Sequence, residues 1–480
     1  MQAKTQGNAD GIFIVFVGVL VAAALILAGC SATQMAQSNT GNQAAVTAMV
    51  PVSLTDAPGD QVVAASLMLN SIVLTDSAGK AVSILSTPLT FEAAHLDAVQ
   101  EPVFSPTIPE DTYTSVALTY SNAEVAYIDS TTKQVVLTAA TLANTSQTFT
   151  FPTPVVVKNA TTSLLVDFLV ANSVTISGSA VTVTPAFHIA PAPIAAQPTN
   201  GTNGLQCGIK GKVSALGTNS FTLTNPEGMS LTIAVGTNTQ YQGLSGFSAL
   251  AVGALVEVDV ETQSGGGLLA LRLEEQVPPN ATAEMLVGPV ISVTGSPASA
   301  FTLVVRQKIG PAATATTVEK DTITINGSTA FLLPGRLSNL TAAGAPPFTP
   351  VFSAATLFAG QNVGVATNGV TNNAATATGV MLAPQTIVGT ITSAVQPMCL
   401  PCWGQITLTL PAGNWLATLT GQTTVTVYTN GNLQPINVSP VAASAVVRFN
   451  GFLFKNNGAL VMLAAVQADG PGAPIATPMQ

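Results

Sequence analysis

Residues 64–85 read "AASLMLNSIVLTDSAGKAVSIL", and the fold class turns on how this stretch is taken. In an extended strand, Leu67, Leu69 and Val73 share one face, and Met68, Ile72 and Leu74 the other. Both faces are then apolar, which predicts a well-buried strand. The cluster Asp76-Ser77-Ala78-Gly79 is a turn signal, and Val82 and Ile84 follow it, which predicts a hairpin. Comparable segments recur at 113–120 ("YTSVALTY"), 134–138, 147–157, 163–170 ("SLLVDFLV") and 181–188, with little helical periodicity between them. Strands separated by turns at this spacing predict a β-sandwich.

Composition bounds the rest. A chain of 480 residues holds roughly three or four domains. Hydrophobic residues make up 47% and charged residues only 7%, where about 25% charged is usual. Beyond residue 30 the apolar runs fall short of the roughly 18 residues that a spanning helix needs. Abundant Val, Thr and Ile argue against disorder. What remains is an all-β protein with a surface of Thr, Ser, Asn, Gln and Ala. The net charge is −9, and the 13 basic residues do not cluster, so nucleic acid is not an expected partner. The two histidines, His95 and His188, leave little for metal or acid–base chemistry. Nucleophile–base catalysis needs a His near a Ser or Cys. No catalytic residue is assigned, and no cofactor is expected.

Residues 11–29, "GIFIVFVGVLVAAALILAG", are apolar and lead to Cys30. The end of that run, Leu27-Ala28-Gly29-Cys30, resembles the lipobox of bacterial lipoproteins. In that family a peptidase cuts before the Cys, whose thiol carries a diacylglycerol; small residues before the cut suit a narrow peptidase site. The resemblance implies a signal peptide over 1–29, lipidation at Cys30, and a membrane held through acyl chains. Ser31, where an Asp often marks inner-membrane retention, implies the outer membrane. The alternative is an uncleaved anchor, since the run is about as long as a spanning helix and the residues before it offer only Lys4 against Asp10. Residues 30–47 are small and polar and read as a flexible tether.

Four segments recur in the order found in a family of bacterial lipoprotein heads, domain-of-unknown-function family 4382. They are "VSLTDAP" (Val52–Pro58), "IPEDTYTSVAL" (Ile108–Leu118), "LLVDF" (Leu164–Phe168) and "VTPAFHIAP" (Val183–Pro191). The chain resembles that family over about 48–192, which implies a fold and a location but no reaction. Asp56 and Asp60 flank "APG" in the first segment. Such a pair reads either as part of a Ca²⁺ loop or as Asx turns; the lack of a third nearby carboxylate favours the turns. Asp167 interrupts an apolar run, where a buried carboxylate requires a partner.

After a Pro/Gly/Asn linker at 193–206 the chain repeats itself three times. Each copy opens with a glycine: "GKVSAL" from Gly211, "GPVISV" from Gly288, "GTITSA" from Gly389. Each continues with "SFTLTN", "AFTLVV" or "QITLTL", and then with two further strand-like segments. Five or so strands per copy predict small closed barrels, OB-like in plan. The boundaries are 207–279, 284–385 and 386–470, with an insertion near 335–356 expected as a surface loop and a disordered tail at 471–480. The copies resemble domain-of-unknown-function family 5666, which occurs in tandem in envelope proteins. OB-like barrels often bind oligonucleotides or sugars. The scarcity of basic and aromatic residues sets the first aside. For sugars, Trp403 and Trp415 are candidate platforms, with core packing as the other reading.

"MCLPCWG" at 398–404 carries Cys399 and Cys402 in a hairpin loop of the third copy. A redox centre needs a helix N-terminus, and a zinc site needs four ligands; a structural disulfide is the remaining reading outside the cytoplasm. Cys207 is then a buried thiol or an intermolecular partner. The expectation is a lipid-anchored cell-envelope protein of structural or ligand-binding type, its partner a glycan or an envelope protein. One alternative is a carbohydrate-binding surface protein. The other is an envelope hydrolase with two facing carboxylates drawn from Asp97, Glu101, Glu110 and Asp111.

Overall fold

In a computed structural model, the stretch at 64–85 forms most of the strand Val62–Asp76 and the return strand Ala81–Ser83 that pairs back on it. The structure describes residues 46–469, apart from 57–58, 98, 195–204, 278–282, 311–317, 342–343, 396–402, 431–433 and 437–442. Pairing of Val62–Asp76 with Asp111–Ile128 slips between Leu69 and Ser71, leaving Asn70 as an extra residue. A bulge of this kind turns every later side chain to the opposite face. Leu67, Leu69, Ile72 and Leu74 are therefore all buried, while Met68 and Val73 are only partly so. The expected pair of apolar faces is one core face, shifted halfway along by a single inserted residue.

Two sheets enclose that core. One is centred on Val62–Asp76 and Asp111–Ile128. The other runs in the order Phe187–Pro193, Thr162–Phe168, Val52–Asp56, Glu101–Phe104, with the middle two strands parallel. Leu54, Val166 and Phe168 from the second sheet share a core with Leu67, Leu69, Leu118 and Tyr120 from the first. This is a β-sandwich, and Phe91 meets Phe168 edge-on at 5.8 Å across it.

Each repeat has five principal strands. In the first they are Leu205–Leu216, Ser220–Thr224, Ser230–Gln242, Leu255–Thr262 and Leu268–Val277. In the second they are Glu284–Thr294, Ala300–Val305, Glu319–Thr324, Asn362–Thr367 and Ala374–Leu382. In the third they are Gln385–Val395, Gly404–Thr409, Thr424–Thr429, Val446–Asn456 and Ala459–Asp469. In all three the first strand pairs with the second, the second with the third, the third in parallel with the fifth, the fifth with the fourth, and the fourth with the first. The ring closes without a free edge, which suits a surface with few charged gatekeepers.

The glycine that opens each repeat has a steric reason. A Cβ at Gly211 would lie 2.6 Å from Thr224 O, one at Gly288 1.8 Å from Val304 O, and one at Gly389 2.9 Å from Leu408 Cβ. At this point the first strand crosses from its fourth-strand partner to its second-strand partner. A register shift follows two residues later in every copy, at Val213/Ala215, Val290/Ser292 and Ile391/Ser393. Glycine permits the close approach, and the bulge bends the strand round the barrel.

The insertion at 335–356 departs from the surface loop expected of it. It contains the helix Gly335–Thr341, whose Leu337 and Leu340 are buried, and Phe352 is buried beyond it. Phe348 meets Phe454 at 5.5 Å and Tyr428 at 5.9 Å, both in the third repeat. Its Leu and Phe residues make this segment part of a shared core between two barrels.

Candidate functional site

In a chain with so little charge, the positions of the charged side chains are informative. Of the 22 acidic and 13 basic residues, at least 18 are buried. Arg272, Arg306, Arg336 and Arg448, which are all of the arginines, are among them. A buried charge requires a partner, and Arg306 and Arg448 find theirs across junctions between modules.

Two arginines from different barrels converge on the sandwich segment "FEAAHLDAVQE" (91–101). Arg448, on the fourth strand of the third repeat, donates to Asp97 Oδ1 at 3.3 Å and to the carbonyl of Asp56 at 3.1 Å. Arg306, in the second repeat, donates through Nε to the carbonyl of Val63 at 2.7 Å, and again through Nη2. Its plane lies 5.8 Å over the ring of Trp415 from the third repeat, a cation–π contact. Burial pushes the Asp97 carboxyl up to about 7, with Arg448 pulling against it. Burial lowers the Arg306 guanidinium. Asp56 forms an isolated bridge beside Asp97, and burial together with Asp97 raises its carboxyl well above the usual range.

Beside these groups, His95 is held between two acids. Nδ1 lies 3.2 Å from Glu92 Oε2, and Nε2 lies 3.0 Å from Glu101 Oε2. Burial disfavours the imidazolium, but the bonds to Glu101 and Glu92 outweigh it and raise the ring to about 10. Glu92 also accepts from the amides of Ala65, Ala94 and His95, which fixes the loop. Glu227, at the tip of a hairpin in the first repeat, is buried, and burial followed by the Glu101 charge lifts it to about 8.

A second network lies on the outer face of the first barrel. Along Leu255–Thr262, valines face the core and acids face out, the period of two expected of a strand. Arg272 binds Glu257 at 2.6 Å, Asp259 at 2.8 Å and Glu274 at 2.5 Å, and Lys210 binds Glu257 at 3.0 Å. Glu274 in turn accepts from the amide of Gly335 in the insertion of the second repeat. Burial opposes ionisation of Glu257, but Lys210, Arg272 and Arg336 hold it well below the usual range.

A cavity of about 30 Å³ sits where the sandwich meets the second and third repeats, with Asp60, Asp97, Arg306, Asn414 and Trp415 in its wall. That is room for one or two waters. Of the predicted site residues the structure brings Asp60, Asp97 and Trp415 to this wall and places the other described ones elsewhere. Asp56 Oδ1 accepts from the amide of Val170, whereas Asp60 bonds the side chain of Asn414. Among the described residues no group of three or more His, Cys, Asp and Glu is placed to hold a metal. Trp415 is 8% exposed within a core, and Trp403 is half-buried with Nε1 donating to the carbonyl of Gly344 at 3.2 Å. Asp97 and Glu101 engage Arg448 and His95, Glu110 accepts from the amide of Asn159, and exposed Asp111 accepts from that of Thr112. Leu27, Ala28, Gly29, Cys30, Cys399 and Cys402 lie outside the described residues.

The Glu92–His95–Glu101 grouping and the four arginines carry no motif; of these residues the sequence points only to Glu101, as a candidate carboxylate, and to His95, as one of two histidines. One signal was present: in a chain 7% charged, residues 92–101 hold Glu92, His95, Asp97 and Glu101 within ten positions.

Residues 47–184 match the family model described as a domain of unknown function, DUF4382. Residues 210–274 match the model of another domain of unknown function, DUF5666. The two stretches fall in the sandwich and the first barrel. No curated protein matches the chain. A solved structure of a glycoside hydrolase family 32 protein from Bifidobacterium adolescentis aligns over 87% of this chain and 67% of its own, at 10% identity and a TM-score of 0.10, too low to indicate a shared fold.

Proposed function

We propose that the protein is a lipid-anchored component of the cell envelope, attached to the outer membrane by acyl chains on Cys30, and that its folded part acts as a rigid structural or ligand-binding head. The observation that carries the reading is the apolar run ending in Leu27-Ala28-Gly29-Cys30. Two or more acyl chains give stable anchoring at about 0.8 kcal/mol per buried CH₂. Rigidity is supported by the arginines, which tie the second and third barrels to the sandwich by buried hydrogen bonds. A non-catalytic role is supported by the pairing of Asp97 with Arg448 and of Glu101 with His95, where paired-carboxylate hydrolysis needs two acids facing each other across a cleft.

Metabolic labelling with palmitate tests the anchor. The wild-type protein is expected to incorporate label, to fractionate with the outer membrane, and to begin at Cys30 by mass spectrometry. Cys30→Ala is expected to lose all label. An unlabelled wild-type chain that keeps residues 1–29 would overturn the reading.

A further inference from the structure

The hairpin between the second and third strands of the first repeat ends in Asn225-Pro226-Glu227-Gly228-Met229. Its tip is tightly built. The amide of Asn225 donates to Met229 O at 3.0 Å, that of Gly228 to Asn225 O at 3.0 Å, and that of Met229 to Asn225 Oδ1 at 2.8 Å. It does not point into solvent. Met229 packs on the sandwich core, and Glu227 is 8% exposed.

The buried Glu227 carboxyl feels the charges of Glu101, at the start of Glu101–Phe104, of His95 in the preceding loop, and of Glu92, the last residue of the strand Leu89–Glu92. Both ring nitrogens of His95 are already engaged by Glu92 and Glu101. Glu227 Oε2 and Glu101 Oε1 are each buried with no hydrogen-bond partner. Two carboxyl groups thus hold one imidazole, and a third, that of Glu227, is buried within reach of their charge. Were all three ionised, their charge would exceed what the His95 imidazolium and the nearby Arg306 guanidinium, itself shared with Asp97 and Asp56, can balance, and burial makes that excess costly. A metal ion is a poor alternative, because His95 has no ring nitrogen left to offer and the grouping lacks ligand geometry.

We propose that one proton latches the first repeat to the sandwich: Glu227 docks as a neutral carboxylic acid against Glu92, His95 and Glu101, and its loss opens the hairpin tip. The rise of Glu227 to about 8, caused by burial and then by Glu101, means that opening becomes progressively easier as pH climbs from the ordinary carboxylate range and levels off near 8. Opening is local, because Gln206 Nε2 still bonds Ser53 Oγ at 3.2 Å along the same junction. The device makes contact between the two modules sensitive to external pH, a property suited to a surface-displayed protein but independent of whether Cys30 is acylated.

Hydrogen–deuterium exchange on the full-length protein in detergent, at pH 6 and pH 8.5 and corrected for intrinsic exchange, tests the latch. Amides of Asn225, Gly228 and Met229 are expected to lose protection by about tenfold or more over that interval, since each pH unit past the open-state value shifts the balance tenfold. Glu227→Gln, which mimics the neutral acid, is expected to keep protection within about twofold. Glu101→Gln removes the neighbouring charge, so the loss is expected to be smaller and complete at a lower pH. A wild-type profile flat with pH overturns the proposal, as does a Glu227→Gln profile that falls like wild type. If Glu227→Gln does not fold, an unchanged profile in Glu101→Gln overturns it.

Discussion

Arg448 and Asp97 are 351 positions apart in the chain, and their side chains meet at 3.3 Å in a fully buried ion pair. The pair closes the third repeat onto the sandwich. The same guanidinium also reaches the carbonyl of Asp56, so one side chain fixes two neighbouring backbone segments.

Arg448→Met is therefore expected to destabilise the protein by about 3–5 kcal/mol, because it leaves Asp97 buried without its hydrogen-bonded partner and with only the more distant charge of Arg306. Arg448→Met combined with Asp97→Asn is expected to recover part of that loss. Urea unfolding of the two variants measures both. With Asp97 raised to about 7 by burial, the single substitution is expected to cost more at pH 8 than at pH 5, where the carboxyl is neutral. An equal cost at both would place the origin in packing.

The junctions also set the pH dependence of the whole protein. Asp97 rises to about 7, Glu227 to about 8 and His95 to about 10. All three hold protons in the folded chain that the unfolded chain releases at lower pH. Stability must then fall as pH rises through this window. For the two acids the burial cost develops above their unfolded values, and for His95 the ion pairs that are intact below 6.5 are lost as pH passes about 10. Calorimetry is expected to give a higher Tm at pH 6 than at pH 9.5. Glu257 works the other way: held low by Lys210, Arg272 and Arg336 against its burial, it stabilises above the usual carboxylate range and loses that contribution as pH falls.

Gly288→Ala is expected to destabilise by about 3 kcal/mol or more, at the upper end of overpacking, since the clash is with backbone. Its Cβ would sit 1.8 Å from Val304 O, a carbonyl that cannot move without breaking the barrel seam. Gly327→Ala is the control, because nothing lies within 4 Å of its added carbon. Equal melting temperatures for the two variants would refute the steric account of the repeat-opening glycines.

Short-range patterns made the β architecture legible. Alternation, turn residues and a glycine at the start of each copy are local signals, and the ring of five strands with its common bulge follows from them. The frame shift at Asn70 was not legible, because a bulge leaves no mark of its own in an apolar run. The junctions were illegible for a different reason. Arg306, Arg448 and Glu227 become partners of residues 91–101 only once separate modules dock, and no spacing rule links positions more than a hundred residues apart. Charge density was the one available hint: where charged side chains are rare, four titratable ones within ten residues call for a structural explanation.

The insertion of the second repeat offers the last test, because its reading changed most. As a surface loop, Phe348 would be dispensable. Instead its ring stands 5.5 Å from Phe454 at 64°, an edge-on contact, and 5.9 Å from Tyr428. Asn430 Nδ2 donates to the carbonyl of Leu340, and Trp403 Nε1 to that of Gly344, from the third repeat to the same segment. A double-mutant cycle with Phe348→Leu and Phe454→Leu is expected to give a coupling of about 0.5–1.5 kcal/mol. Each single variant is expected to lower the unfolding midpoint without splitting the transition, since both repeats share one core. A coupling near zero would return the segment to the surface, and two resolved transitions would mean that the barrels unfold independently.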